Sequence, residues 1–191
     1  MIQEEIRQAI QGASRIGITA HIRPDGDAIG SVIALGLALQ NSGKNVQIVL
    51  RDGVSNTFRH LKGSEQIKQE FDQERDFFIA LDSSDMARLG GVIENNKIDI
   101  CIDHHITNEK FARINLIDPE AVATCAILAE LIPQIGLTVD KPVADALLTG
   151  ILSDSIGFRT SNTNAKSLRL AAGLMDLGAN ITELYNKALI S

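Results

Sequence analysis

The chain has 191 residues, of which 45% are apolar and 22% charged, and this balance is typical of a globular protein with a buried core. Its 18 Lys and Arg against 24 Asp and Glu leave a net charge of −6, and these totals imply no basic face for long nucleic acid. No apolar run is long enough to span a bilayer, and the N-terminus has no apolar signal core, so we expect a cytoplasmic protein without a membrane partner.

Helical and strand patterns alternate over the first 117 residues, and helices dominate afterwards. The predicted strands are Ile16–Ala20, Val46–Leu50, Phe77–Leu81, Ile98–Ile102 and Ile114–Ile117. The predicted helices are Ile2–Ala13, Ala28–Gln40, a short Asp85–Leu89, Ala121–Ile132, Lys141–Leu152, Ala165–Leu177 and Ile181–Ile190. Alternation of helices with apolar strands predicts an α/β fold, in which a parallel sheet is covered on both faces.

The first predicted strand ends in a polar stretch that runs from His21 to Asp27. Pro24 and Gly26 favour a turn, which lets the imidazole of His21 and the carboxylates of Asp25 and Asp27 converge. Hard oxygen donors with one imidazole suit Mn²⁺ or Mg²⁺ better than Zn²⁺. The alternative for this stretch alone is an aspartate helix cap beside a surface histidine.

Polar clusters also follow two later strands, at residues 82–85 and 103–105, and a fourth cluster around Asp154 follows an apolar run. In a parallel α/β sheet, ligands lie beyond the carboxyl ends of the strands, so we expect the four clusters to meet. The candidate metal ligands are His21, Asp25, Asp27, Asp82, His104 and Asp154. Clustered carboxylates repel one another unless cations neutralise them, which favours two divalent ions over acid–base catalysis without metal. Arg51 and Asp52 end another strand at this edge, and they are interpreted either as substrate contacts or as part of a solvated turn.

The four clusters resemble, in order and spacing, motifs I to IV of the DHH phosphoesterase superfamily, and the resemblance covers nearly the whole chain. The sequences that carry it are His21-Ile22-Arg23-Pro24-Asp25-Gly26-Asp27, Leu81-Asp82-Ser83-Ser84-Asp85, Asp103-His104-His105 and Ser153-Asp154-Ser155. The resemblance implies a Rossmann-like parallel sheet with helices on both faces. It also implies a centre of two Mn²⁺ ions, with Mg²⁺ or other divalent ions as alternatives.

By the same resemblance, His21 and Asp25 are expected to bind the first ion and Asp82 to bridge the two. The ligands expected for the second ion are Asp27, His104 and Asp154.

Three further residues receive roles from the resemblance. His105 is similar to the residue that contacts the substrate phosphate, and Asp103 to one that orients an imidazole. The stretch from Gly157 to Thr160 is similar to the one after motif IV, which makes Arg159 a second candidate for stabilising phosphoryl charge. Its local order departs from the commoner Asp-Thr-Gly, so a surface salt bridge is the alternative for Arg159.

Within the superfamily, the string from Pro24 to Ser31 is closest to the oligoribonuclease/pAp-phosphatase branch. This implies hydrolysis of short RNA or of 3′-phosphoadenosine 5′-phosphate (PAP) by a hydroxide that bridges two manganese ions. The alternatives are a cyclic-dinucleotide phosphodiesterase, a manganese inorganic pyrophosphatase, or a non-catalytic nucleotide-binding module. The expected partner is a short RNA or nucleotide, and a homodimer is left open.

Members of this branch continue into a smaller C-terminal domain with a glycine-rich, histidine-bearing substrate motif. No Gly-Gly-Gly-His string occurs in residues 1–191. We therefore expect these residues to form a single DHH domain that is a piece of a longer protein, lacking the substrate domain. An unusual single-domain form is the alternative.

Overall fold

Five parallel strands form one sheet in the computed structural model, which describes residues 1–94 and 97–190. The strands are β1 (Arg15–Ala20), β2 (Asn45–Val49), β3 (Phe77–Leu81), β4 (Ile100–Asp103) and β5 (Ile114–Ile117). Their order is β2-β1-β3-β4-β5, and each neighbouring pair is parallel. All five predicted strands are present, with ends that differ by at most two residues from the sequence prediction.

Six α-helices accompany the sheet, and none in the described part of the chain combines the length and apolarity that crossing a membrane requires. They are α1 (Ile2–Gln11), α2 (Gly26–Asn41), α3 (Thr124–Gln134), α4 (Lys141–Asp154), α5 (Ala165–Asp176) and α6 (Ile181–Tyr185). The predicted final helix is shorter than expected, because the backbone changes to a π-helical turn over Asn186–Ile190.

The helix predicted at Asp85–Leu89 is instead a single 3₁₀ turn over Ala87–Leu89. The carboxylate of Asp85 accepts the amide of Arg88, which caps one turn, and Gly90 then takes a left-handed φ of +71°. A left-handed glycine ends the turn before a second one can form.

The α-helices cover one face of the sheet, and irregular segments cover the other. Ile16, Ile18 and Ile79 pack on the first face, in the cluster that contains the buried residues of the helices. Ala80 faces the other way and packs with Leu89, in a smaller cluster that includes no α-helical residue. The predicted α/β class is confirmed, but the α-helices do not cover both faces as expected, because the described residues of the connections that precede β3 and β4 form only 3₁₀ turns.

The order of the strands reverses between β1 and β3, which makes this the switch point where parallel sheets hold ligands. Ala20 and Leu81, the last residues of these strands, are paired in register. The next residues along the chain, His21 and Asp82, therefore leave the sheet side by side.

Helix α2 lies at the centre of the molecule and is buried around nearly its whole circumference. Gly30 allows it to pack closely on α4, since a Cβ at that position would overlap the carbonyl oxygen of Ala146. Asp27 lies in the first turn of α2 and Asp154 is the last residue of α4. The close, antiparallel packing brings these two helix ends to the same edge of the sheet.

Candidate metal centre

The structure brings all six side chains predicted as metal ligands to one edge of the sheet. His21 follows β1, Asp25 and Asp27 lie at the start of α2, and Asp82 and His104 follow β3 and β4. Asp154 is the last residue of α4. Their nitrogen and oxygen atoms form groups in which every atom lies within 4.8 Å of the others, a separation that suits ligands of one ion.

Asp82 lies between the two halves of this cluster. One carboxylate oxygen is 3.4 Å from Nε2 of His21, and the other is 3.6 Å from Nε2 of His104. The residue is 1% exposed and has a left-handed φ of +53°, a conformation that aspartate tolerates better than most residues. The hydroxyl of Thr124 donates to Oδ1 at 3.0 Å and fixes the plane of the carboxylate.

The first half of the cluster consists of His21, Asp25 and one oxygen of Asp82. Nδ1 of His21 lies 2.6 Å from the carbonyl oxygen of Ile22, which leaves Nε2 for the cluster. Oδ1 of Asp25 lies 3.7 Å from Nε2 of His21 and also accepts the amide of Ala28 at 2.9 Å. Asp25 can thus cap helix α2 and also lie in position to bind an ion.

The second half of the cluster forms around His104. Its Nε2 is 3.0 Å from Oδ2 of Asp154 and 3.7 Å from Oδ2 of Asp27. Its Nδ1 lies 3.2 Å from the carbonyl oxygen of Ala121, so this imidazole too is oriented by a backbone oxygen on its far side. The donor atoms form three groups, which are His21 with Asp25 and Asp82, Asp27 with His104 and Asp154, and Asp82 with His104 and His105.

Asp27 is fully buried at the N-terminus of α3. Its carboxylate oxygens accept the amides of Thr124 at 2.8 Å and Cys125 at 2.9 Å, where the helix dipole favours negative charge. Burial nevertheless raises the pKa of Asp27 well above its ordinary value, and the charges of Asp82 and Asp154 raise it further. The amides alone therefore do not balance the negative charge at this point.

The pKa values of His21 and His104 also reflect the excess of negative charge in this site. Burial lowers the pKa of His21, but Asp25 and Asp82 outweigh that effect and raise it to about 10. Burial likewise lowers the pKa of His104, and its carboxylate neighbours, Asp154 foremost, raise it to about 10. Without other cations, the imidazoles carry the positive charge that this site requires.

His105 is oriented by residues on the other side of the cluster. Its Nδ1 lies 2.6 Å from Oδ1 of Asp103, and Asn108 donates to Oδ2 of Asp103 at 2.8 Å. The same Asn108 amide donates to the carbonyl oxygen of Ser83 at 3.0 Å, which links the segments after β3 and β4. The His105 side chain is 44% exposed, so its remaining nitrogen, Nε2, is the one available to a ligand. Nδ1 also lies 3.8 Å from Asp82 Oδ1.

Sequence reasoning missed two residues that hold the cluster in place, Asn108 and Thr124. Asn108 lies three residues after His105, and a polar residue so close to a strand end was a usable signal. Thr124 and the two amides that contact Asp27 come from a helix start nearly a hundred residues farther along the chain. No local pattern links that start to Asp27.

The structure does not bring Arg159 into the cluster. Its side chain is exposed, and within residues 1–94 and 97–190 its guanidinium has no ion-pair partner. Its backbone amide donates to the carbonyl oxygen of Ser155 at 2.7 Å, at the end of a turn in which Ile156, Gly157 and Phe158 all have positive φ. Arg159 is only five residues after Asp154 in the chain, but the turn leaves its side chain outside the network of contacts described above.

Known proteins resemble this chain over most of its length. A bifunctional oligoribonuclease and PAP phosphatase, NrnA, from Thermus thermophilus is 35% identical over 96% of this chain and 56% of its own. A probable manganese-dependent inorganic pyrophosphatase from Bacillus mycoides is 25% identical over 92% of this chain and 59% of its own. The chain thus spans a little over half the length of these relatives.

An exopolyphosphatase-related protein from Bacteroides fragilis has a crystal structure that superposes with a TM-score of 0.92. The two are 26% identical, and the match covers all of this chain and 60% of the other. Residues 15–151, which contain β1 to β5 and most of α4, match the model for the N-terminal domain of the DHH family. The chain therefore belongs to the DHH family.

Proposed function

We propose that this chain is the metal-binding domain of a phosphoesterase that hydrolyses short oligoribonucleotides and PAP with two Mn²⁺ ions. The observation that carries the proposal is the position of Asp82, whose two oxygens lie 3.4 Å from His21 and 3.6 Å from His104. One carboxylate shared by two groups of ligands is the arrangement that a closely spaced pair of ions requires. The Thermus relative, named for both activities, supports the choice of substrates.

The donor atoms of the cluster fit divalent ions of the manganese and magnesium type. They are carboxylate oxygens and imidazole Nε2 atoms, and no thiolate belongs to any of the described groups. His21 and Asp25 would hold one ion, Asp27, His104 and Asp154 the other, and Asp82 both. The raised pKa of Asp27 and of both histidines shows that the site has excess negative charge, which cations would relieve. When bound, two such ions polarise a phosphoryl oxygen and activate water.

The chain's own residues would bind and orient the phosphoryl group. The hydrogen bond that Nδ1 of His105 donates to Asp103 raises the pKa of His105, which favours the imidazolium and keeps a proton on Nε2. Nε2–H is then a charged donor for a phosphoryl oxygen that gains charge during the reaction. Asn108 holds Asp103 and so limits rotation of the His105 ring. Arg159 would supply a second positive charge to the phosphoryl group, from a turn that lies outside the cluster in this structure.

Hydrolysis of defined substrates tests this function. The purified protein is stripped of metal and assayed with an RNA dinucleotide, with PAP and with pyrophosphate, each with and without Mn²⁺. We expect Mn²⁺-dependent release of nucleotide from the first two and phosphate from PAP. Metal binding without turnover of any of the three would refute catalysis and favour the nucleotide-binding module.

Pyrophosphate hydrolysis is the second candidate, because the Bacillus mycoides relative matches 92% of this chain. The same assay separates the two. A kcat/KM for pyrophosphate above that for the dinucleotide would transfer the proposal to that reaction.

A further inference from the structure

Of the ten arginines of the chain, four have side-chain partners, four form the group defined below, and Arg159 and Arg169 belong to neither. Arg7, Arg15 and Arg113 form ion pairs, and Arg75 donates to two amide side chains. A second group, here called the arginine edge, consists of Arg23, Arg51, Arg59 and Arg88. All four are exposed, and within the described residues none has an ion-pair partner.

The arginine edge follows the carboxyl ends of β1, β2 and β3 and begins at the metal cluster. Arg23 lies between His21 and Asp25 and has a left-handed φ of +50°. Arg51 comes two residues after the end of β2, the strand that pairs with β1. Arg88 belongs to the 3₁₀ turn after β3.

Hydrogen bonds and close packing join these three segments to one another. The amide of Ile22 donates to the carbonyl oxygen of Arg88 at 2.7 Å, and the amide of Arg23 donates to Asp52 at 2.7 Å. Gly90 lies so close to the Arg51 stem that a Cβ there would be 3.0 Å from its Cγ. The segments that bear these three arginines are therefore in contact with one another, and within the described residues their guanidinium groups have no ion-pair partner.

The carboxylates of this region are engaged by main-chain amides. Asp52 accepts the amide of Arg23, Asp85 that of Arg88 at 2.9 Å, and Glu65 that of Gly63 at 2.8 Å. None of these carboxylates forms an ion pair with a guanidinium of the arginine edge in the described residues. These three carboxylates therefore stabilise the loops in which they lie and do not neutralise the guanidinium groups of the arginine edge.

Arg59 extends the edge beyond β2. It lines a cavity of about 430 Å³ together with Asp52, Ser64 and Gln69. The hydroxyl of Ser64 donates to the Arg59 carbonyl oxygen at 3.0 Å and fixes this end of the cavity. Because Asp52 also holds Arg23, the cavity adjoins the loop that bears the first metal-ligand group.

We propose that the arginine edge binds the phosphodiester chain of the substrate beyond the phosphate that is cleaved, along the path from β3 across β1 to β2. The inference rests on the proposed function and specifies which surface of the domain holds the rest of the RNA. A guanidinium without a protein partner is suited to bidentate contact with a phosphate. The net charge of −6 over the whole chain repels longer nucleic acid, so a positive surface limited to four arginines fits a chain of a few nucleotides.

Binding of a fluorescent five-nucleotide RNA, followed by anisotropy at several salt concentrations, tests the inference. Ca²⁺ replaces Mn²⁺ so that affinity is measured separately from turnover. The test variant is the double substitution Arg51→Gln/Arg88→Gln, which keeps much of each side-chain stem. Arg169→Gln is the matched control, since Arg169 is exposed on α5 and lines a cavity with Pro133 and Val139 that contains none of the arginine edge.

We expect the double variant to bind the RNA on the order of tenfold more weakly than the wild type. The slope of log Kd against log salt should fall by about 1.4, at about 0.7 for each lost phosphate contact to a single strand. Arg169→Gln should change neither quantity. Equal affinity and equal slope for the wild type and the double variant would overturn the inference, whatever the hydrolysis assay shows. If RNA binding depends on Arg51 and Arg88 but no RNA is hydrolysed, the catalytic proposal is refuted and the present inference stands.

Discussion

Substitution of Asp82 by asparagine removes one negative charge from both halves of the metal cluster while preserving the shape of the side chain. Asparagine also tolerates the left-handed φ of +53° at this position, so the backbone has no reason to rearrange. Because one oxygen faces His21 at 3.4 Å and the other faces His104 at 3.6 Å, we expect both ions to be held more weakly. Loss of a direct ligand should exceed the roughly 10–100-fold effect of an outer-shell change, so about a hundredfold is a lower limit.

Thermal unfolding converts this loss into a measurable shift. One site filled at 1,000 times its Kd stabilises a protein by about 4.1 kcal/mol, and at ten times by about 1.4 kcal/mol. For a domain of this size each kcal/mol is about 2–4 °C, so the contribution of each site to the Mn²⁺-induced rise in Tm should fall from about 8–16 °C to about 3–6 °C.

The measurement compares each protein with and without Mn²⁺, which cancels any change in the stability of the metal-free form. Asp85→Asn is the matched control, because Asp85 lies in the same segment but caps Arg88 and belongs to none of the ligand groups. An unchanged metal-induced shift in Asp82→Asn, with two ions still found by elemental analysis, would refute the bridging assignment.

Three further predictions concern the role of His105, the protons of His21 and His104, and the packing of α4. His105→Ala should keep the metal-induced rise in Tm but lower kcat by roughly 10²–10³-fold, the usual cost of one charge-stabilising donor; wild-type turnover in the metal-loaded variant would contradict its role. His21 and His104, with pKa values near 10 in the metal-free protein, are protonated at neutral pH, so metal must displace their protons. Metal affinity should therefore rise with pH up to about 10, and calorimetry in buffers of different ionisation enthalpy should detect proton release. Gly150→Ala should destabilise the fold by about 1–3 kcal/mol, because the added methyl overlaps a buried cysteine sulfur. Gly173→Ala in α5, where nothing lies within 4 Å, should be neutral or stabilising in the same denaturant titration.

The candidate ligands were accessible to sequence reasoning because each follows or begins a strongly patterned element. His21 comes directly after an apolar strand, and Asp82 and His104 follow two others. In a parallel sheet such positions share one edge whatever the order of the strands. For this reason His21, Asp82 and His104 could be placed together from the sequence without knowing which strands are neighbours, whereas Asp154 ends a helix and is not covered by this rule.

Element boundaries and the covering of the sheet were less predictable. The turn at Ala87–Leu89 resembles a helix start in sequence, but a left-handed Gly90 ends it after one turn. The apolar alternation along the strands shows that both faces are buried and does not reveal what buries them. Loops with residues such as Leu89 and Ile93 do so on one face.

By itself, the sequence determined the α/β class, the positions of the strand ends and the types of donor atoms placed there, because these follow from local periodicity and local chemistry. Only the tertiary structure decided which donors meet. The pairing of Ala20 with Leu81 places Asp82 beside His21, and the start of α3 supplies the amides that hold Asp27. The contacts of Asn108 and the gathering of the arginine edge likewise join segments that are distant in the chain. Such contacts depend on strand register and helix packing, which no local pattern encodes.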